Sequence, residues 1–236
     1  MIEQFIPAGS TYAGNIDGQI DLIFVLVGFW FILSEAIFFG LIFRFRKKQG
    51  QPAEYITGEE KSQKRWITVP HFLVLVCDVF IIWGAINVWY HVKQELPPAQ
   101  ETVRIIGQQW TWTFVHPGPD KQLGTADDIA KVNELHLKVD TTYHFKLEAR
   151  DVVHSFSVPV FRLKQDAIPG RVITGWFEPT LTGEFDIQCA EMCGIGHGLM
   201  GAKLSVESAA EHAAWVASES PLELAAANMP QLAVEE

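Results

Sequence analysis

Basic residues are in short supply in this chain: 18 Lys and Arg stand against 28 Asp and Glu in 236 residues, a formal net charge of −10. From residue 100 onward the count is 10 against 19, so nearly all the excess negative charge belongs to the C-terminal part. Such a surface argues against nucleic acid, which needs a cationic footprint, and for a basic partner. Cysteine is scarcer still. Three residues, Cys77, Cys189 and Cys193, are too few for a disulfide framework, and no Cys-x-x-Cys-His run is present to attach a c-type haem. No internal repeat is visible. A basic leader is also missing, because Glu3, Asp17 and Asp21 precede the first apolar run, and that run is too long for a cleaved signal sequence.

Long apolar stretches are present instead. Leu22 to Phe43 carries a single charge, Glu35, and Val69 to Val92 a single carboxylate, Asp78. Each exceeds the roughly 20 apolar residues that span a hydrocarbon core, and buried core helices rarely stay apolar on every face for so long. Two transmembrane helices are expected, at about 21–44 and 68–92, with Pro70 in the first turn of the second, where a missing N–H costs little. The loop between them holds Arg44, Arg46, Lys47, Lys48, Lys61, Lys64 and Arg65 against Glu54, Glu59 and Glu60. By the positive-inside rule that loop is cytoplasmic and both termini are external. Glu35 and Asp78 are functional candidates by virtue of their depth, while Cys77 reads as packing.

Three segments follow from this: 1–97, a loosely ordered lead-in plus the two helices; 98–220, an external head; and 221–236, a disordered tail. Pro97-Pro98 makes a stiff linker to the head. In the head, short β-rich runs alternate with turn signals, which is the pattern of an all-β sandwich. Strands are expected near Val103–Ile106, Trp110–Phe114, Glu134–Val139, Tyr143–Glu148, Val153–Val158, Arg171–Phe177, Gly183–Gln188 and Ala202–Val206. Pro117 to Asp128 reads as a solvated loop, since the spacing of Asp120, Asp127 and Asp128 does not fit an EF-hand. Ser208-Ala-Ala-Glu211 is a capping box that opens a short helix to about Ser218.

The densest chemistry is the run Cys189-Ala-Glu191-Met-Cys193-Gly-Ile-Gly-His197, with Met200 three residues on; upstream, His154 lies in Asp151-Val-Val-His154-Ser-Phe. Thiolate, imidazole and thioether form the soft donor set that selects copper for electron transfer. One Cys suffices for a mononuclear site, whereas two Cys at i, i+4 with two His and one Met are enough for two ions bridged by both sulfurs. A Cys2His2 zinc site would leave Met200 idle. A cysteine nucleophile would want a His and an orienting carboxylate beside one thiolate. His71, His91, His116, His136, His144 and His212 have no motif support and read as interfacial, surface or packed residues.

The pattern C-x-E-x-C-x3-H-x2-M resembles the dicopper (CuA) loop of subunit II of the haem-copper respiratory oxidases. Further segments are similar in the same order: Gly107-Gln-Gln109-Trp110-Thr-Trp112, Ala149-Arg-Asp-Val-Val-His154-Ser-Phe and Lys164-Gln-Asp166-Ala-Ile-Pro169-Gly170-Arg171. The resemblance implies a two-helix transmembrane hairpin carrying an all-β, cupredoxin-like sandwich. It implies two copper ions held by His154, Cys189, Cys193, His197 and Met200 through side chains and by Glu191 through its carbonyl. The Glu191 carboxylate would take Mg2+ at the interface with subunit I, and Trp110 would be the point of electron input, with Asp166 and Arg171 at subunit contacts. The implied partners are a haem-bearing subunit I and other oxidase subunits, a cytochrome c or similar donor, and membrane lipid, with the copper head on the periplasmic side of a bacterial inner membrane. The implied activity is that of an oxidoreductase subunit: electrons pass to a haem in subunit I for O2 reduction coupled to proton pumping. A nitric oxide reductase of the same superfamily is the alternative, and a quinol oxidase subunit is opposed by the complete donor set. Two positions depart from the family. Gln63 stands three residues before Trp66, where relatives often keep a proton-accepting Glu, and Thr111, Phe114 and Val115 replace the usual tyrosines and acid.

Overall fold

The structure, a computed structural model, describes residues 4–52 and 55–221, and it divides into two compact units, Asn15–His91 and the remainder. The expected tail lies outside the described residues apart from Pro221.

The first unit is a helical hairpin. Helix α1 spans Ala13–Phe45 and α2 spans Lys61–Trp89, followed by one π-helical turn over Tyr90–Gln94. The mean hydropathy of their most apolar stretches is 2.4 and 2.1, with none of either buried. Apolar residues that find no core on any side are what a lipid-facing helix presents. At 33 residues α1 is about 50 Å long, against the roughly 30 Å of a hydrocarbon core. Both helices start earlier than expected, because the polar residues ahead of each apolar run, such as Lys61 to Lys64, are themselves helix-compatible. Pro70 therefore falls in the interior of α2 rather than in its first turn, where it removes one ladder hydrogen bond. The helices meet where Trp30 Nε1 donates to Cys77 Sγ (3.2 Å) and Gln19 Nε2 to the Ile81 carbonyl (3.1 Å). Gly84 admits the Gln19 amide, for a Cβ there would sit 2.1 Å from its Oε1.

The second unit is a sandwich of ten strands: β1 Glu101–Gln108, β2 Thr111–His116, β3 Ile129–Val132, β4 Glu134–Lys138, β5 Tyr143–Ala149, β6 His154–Val158, β7 Leu163–Ala167, β8 Ile173–Phe177, β9 Gly183–Cys189 and β10 Gly201–Glu207. One sheet runs β3-β2-β1-β5-β8 and the other β4-β10-β9-β6-β7. Period-two burial puts Trp112, Phe114 and His116 of β2 and Tyr143, Phe145 and Leu147 of β5 inside, against Phe156 of β6. Helix α3, Ala209–Glu219, follows the capping box, with the Ser208 side chain accepting from Glu211 N and the Glu211 carboxylate from Ser208 N.

Two strands, β3 and β7, were not expected from the sequence. Both are edge strands, and β7 reads Leu-Lys-Gln-Asp-Ala, with only its two ends turned inward. The lead-in also differs from expectation. Gly9 N donates to the Val160 carbonyl and the Gly9 carbonyl accepts from Thr180 N, Ser10 Oγ donates to the Phe161 carbonyl, and Tyr12 is fully buried edge-on to Trp176. Residues 9–12 are thus packed onto the sandwich, with Tyr12 buried beside Trp176. In the long loop, Asp127 accepts from Asp120 N and Thr125 Oγ1, and Asp128 accepts from Gly124 N. These carboxylates are engaged in holding the loop's own backbone.

Candidate metal centre

Strand β6 opens on His154, whose side chain is fully buried. Space for the ring comes from Gly107 on β1: a Cβ there would lie 3.0 Å from Trp112 Cζ3 and 3.1 Å from His154 Cδ2. The indole of Trp112 sets the ring edge at 6.0 Å between centroids. His154 Nε2 meets Asp151 Oδ1 at 2.8 Å, while Asp151 Oδ2 accepts from Gln109 N at 2.7 Å. Burial opposes the charge on Asp151, but hydrogen bonds from Gln109 N, His154 and Val152 N outweigh it and hold the carboxyl below its ordinary value. With Nε2–H assigned to Asp151, the lone pair rests on Nδ1, a buried atom with no hydrogen-bond partner. An imidazole oriented by a carboxylate with its free nitrogen turned inward is the arrangement of a metal ligand.

The remaining donors come from the β9–β10 connection. Cys189 ends β9 and pairs with Phe156 of β6. Cys189 N donates to the Met200 carbonyl and Ala190 N to the Ser155 carbonyl, so both ends of the loop are tied to strands. Cys189 Sγ and Cys193 Sγ lie 3.7 Å apart as free thiols; Cys193 Sγ is also 3.7 Å from His197 Nδ1 and 3.7 Å from Met200 Sδ. The Glu191 carbonyl approaches Cys189 Sγ at 3.3 Å, with the residue itself exposed. Among the described residues, His154, Cys189 and Cys193 form the one group of three or more His, Cys, Asp or Glu whose ligand atoms all lie within 4.8 Å of one another. All six residues expected as copper ligands converge here, Glu191 by its carbonyl. Burial, followed by the neighbouring Cys189 thiol, pushes Cys193 up to about 11, so without metal it keeps its proton at neutral pH.

Trp110 lies just before β2, and its ring rests on the loop backbone: a Cβ on Gly196 would fall 2.5 Å from Trp110 Cδ2. It is 37 % exposed, and Met192, Ile195 and Leu199 of the same loop are 74, 97 and 90 % exposed. Gln109 Nε2 donates to the Cys193 carbonyl at 2.8 Å, and Gly194, at φ +124°, supplies the left-handed turn beside it. Sequence reasoning missed Asp151 and Gln109 as supports. Asp151 had a signal, since it precedes His154 by three residues; Gln109 had only its place beside Trp110 in a segment of the resemblance, because its partners Asp151 and Cys193 are distant in the chain.

A family profile described as cytochrome c oxidase subunit II, periplasmic domain, matches residues 101–208. The alternative cytochrome c oxidase subunit 2 of Bradyrhizobium diazoefficiens is 33% identical over 232 residues, covering 88% of this chain and 81% of that protein. The cytochrome c oxidase subunit 2 of Cereibacter sphaeroides is 27% identical over 242 residues, covering 90% and 78%. Among solved structures, the periplasmic domain of subunit II of cytochrome oxidase from Bradyrhizobium japonicum superposes with a TM-score of 0.48 at 29% identity, over 53% of this chain and 96% of that one.

Proposed function

Since the chain belongs to the cytochrome c oxidase subunit II family, a membrane component of an oxidoreductase complex, we propose that it is the electron-input subunit and that its head holds two copper ions. The observation that carries this reading is the pair of thiols 3.7 Å apart, with an imidazole nitrogen and a thioether sulfur each 3.7 Å from Cys193 Sγ and the orphaned His154 Nδ1 beside them. That donor set fits copper, because soft sulfur dominates and the oxygen donor is a weak carbonyl.

Cys189 and Cys193 would bridge, His154 and His197 would each supply an imidazole, and Met200 and the Glu191 carbonyl would be the weak outer donors. Copper held by these residues would supply one-electron redox chemistry. The chain's own part is to keep these donors fixed: β6 pairs with β7 at His154 and with β9 at Cys189, which lies opposite Phe156, and Asp151 holds the tautomer of His154. Trp110 joins this shell to the surface, and its indole offers the path for electron input from an external donor. The exposed Met192, Ile195 and Leu199 give that donor an apolar footing, and the acidic head favours a basic protein of the cytochrome c kind. The electrons pass to the haem-bearing subunit, where O2 is reduced to water with proton pumping. The Glu191 carboxylate, which is exposed, would offer oxygen to a hard ion such as Mg2+ at the contact with that subunit. The basic loop between α1 and α2 supports a head on the periplasmic side, by the positive-inside rule.

Metal analysis and EPR of the full chain in detergent test the reading. The expected result is two coppers per chain and an oxidised state with one unpaired electron shared equally over two nuclei. One copper per chain, or zinc alone, overturns it.

A further inference from the structure

The membrane hairpin carries ionisable side chains that the metal centre does not use, Glu35, His71 and Asp78 among them. His71 and Asp78 lie seven residues apart on α2, so they share one stripe with a drift of only about 20°. Counting from Lys61, His71 is about 15 Å and Asp78 about 25 Å along the helix from the loop end. The seam with α1 uses Cys77, Ile81 and Gly84. At about 100° per residue the His71–Asp78 stripe is turned roughly a quarter of a circle from that seam. Its neighbours Val74, Leu75 and Ile82 are apolar and exposed. Other polar groups on this helix satisfy themselves: Thr68 Oγ1 donates to the Lys64 carbonyl and Asn87 Nδ2 to the Trp83 carbonyl. His71 and Asp78 have no such partner among the described residues. Glu35 is not part of the stripe, since it lies five residues from Trp30 and so on the far side of α1 from the seam.

Ionisable groups at this depth are costly unless they face protein or water, and they recur in proton relays. A purely structural polar contact is served by a hydroxyl or an amide, as Thr68 and Asn87 show. An imidazole and a carboxylate, unlike a hydroxyl or an amide, can each take up and release a proton in turn. We propose that His71 and Asp78 are the two stations of a proton file on the free flank of α2, leading from the loop side to mid-membrane against the partner subunit. The imidazole takes a proton at one ring nitrogen as it releases one at the other. Through intervening water that proton reaches the Asp78 carboxylate, which releases it toward the haem-bearing subunit. A flip of the imidazole ring then restores its tautomer and Asp78 is again a carboxylate, so protons are moved and none is consumed within the file. The proposal rests on the reading above that the complex reduces O2 with protons.

The test uses the assembled complex in sealed vesicles, with Asp78→Asn, Asp78→Glu and His71→Gln, following turnover, proton uptake from the loop side and reduction of the head by its donor. The expected result is at least a tenfold loss of turnover and proton uptake in Asp78→Asn, with recovery in Asp78→Glu. A smaller loss with a displaced pH profile is expected in His71→Gln, and an unchanged rate of head reduction in all three. Proton uptake at the wild-type rate in Asp78→Asn and His71→Gln overturns the file alone. Loss of the haem-bearing subunit from either variant also overturns it, since the stripe is then a packing contact. A wild-type complex that takes up no protons during turnover removes the functional reading and the file together.

Discussion

Two histidine clusters occupy the head, and they are built from the same parts to opposite ends. In the first, Asp151 holds His154 by Nε2 at 2.8 Å and leaves Nδ1 buried without a partner, among sulfur donors. In the second, Glu207 at the end of β10 engages His136 Nδ1 at 2.6 Å and His212 Nδ1 at 3.0 Å, while His116 points in from β2. The centre of that cluster is filled by Trp215 of α3, stacked on His136 at 4.2 Å and edge-on to His116 at 5.0 Å. Carboxylate and imidazole are common to both. Each also keeps a buried imidazole nitrogen without a hydrogen-bond partner, His154 Nδ1 and His116 Nε2; what differs is what lies beside it, two cysteine sulfurs in one and an indole in the other. The first has donor atoms to offer a metal, whereas the second packs α3 onto the sandwich.

Removing one of the two cysteine sulfurs should have the largest effect on this contrast. Cys189→Ser is expected to lower the copper content from two per chain to at most one and to abolish the shared-electron EPR signal. His212→Ala, in the other cluster, should leave both intact. Metal loss in His212→Ala would mean that the two clusters are coupled.

The next effect is on acid stability and belongs to the second cluster. Burial, and then the nearby His136, His212 and Lys131, lower His116 to about 3, against about 6.5 in the unfolded chain. A depressed histidine favours the fold while neutral. Its contribution is therefore complete above about pH 6.5 and is lost as pH falls from 6.5 toward 3. The loss is of order a few kcal/mol for a shift of this size. Thermal melts of His116→Phe between pH 7 and pH 4 should show a shallower decline in Tm than the parent. Parallel declines would place the acid-sensitive group elsewhere.

This asymmetry also explains what the sequence could disclose. The metal loop is legible because five donors fall within twelve residues and His154 carries its own local motif; the apolar runs of α1 and α2 are legible because nothing interrupts them. The second cluster is not, since His116, His136, Glu207, His212 and Trp215 come from four separate elements and no short pattern joins them. Strands β3 and β7 escaped for a related reason: as edge strands they bury only Ile129, or Leu163 and Ala167, and so lack a clear alternation. The boundaries of α2 were misjudged because lipid depth, which hydropathy reports, and helical hydrogen bonding, which extends into polar Lys61 to Lys64, end at different places.

A sharper comparison replaces the carboxylate in each cluster. Asp151→Ala should leave the His154 tautomer unfixed and weaken copper binding by roughly 10- to 100-fold, as losses behind a metal ligand do. Glu207→Ala should leave copper affinity unchanged and lower thermal stability. Competition with a copper chelator reads the first effect and calorimetry the second. Equal copper affinity in Asp151→Ala and parent would mean that Trp112 and Gly107 alone suffice to aim the ring.

The smallest expected effect falls on Met200, at the edge of the first cluster. Its sulfur is 3.7 Å from Cys193 Sγ and the residue is 2 % exposed, so it serves both as donor and as packing. Leucine conserves the volume, and swaps of that kind cost less than about 1.5 kcal/mol in a core, so Met200→Leu should fold and keep its loop closed by the backbone bond from Cys189 N to the residue 200 carbonyl. The thioether is a weak donor whose main influence is on potential. Both coppers should therefore remain, with a smaller loss of affinity than the roughly tenfold minimum expected for Asp151→Ala. The measured signature is a displaced reduction potential and an EPR pattern no longer shared equally, because one side of the pair has lost its outer ligand while the Glu191 carbonyl is kept on the other. A chain that loses copper on this change would make the thioether a primary ligand. The division of labour would then move from the two bridging sulfurs toward the rim of the loop.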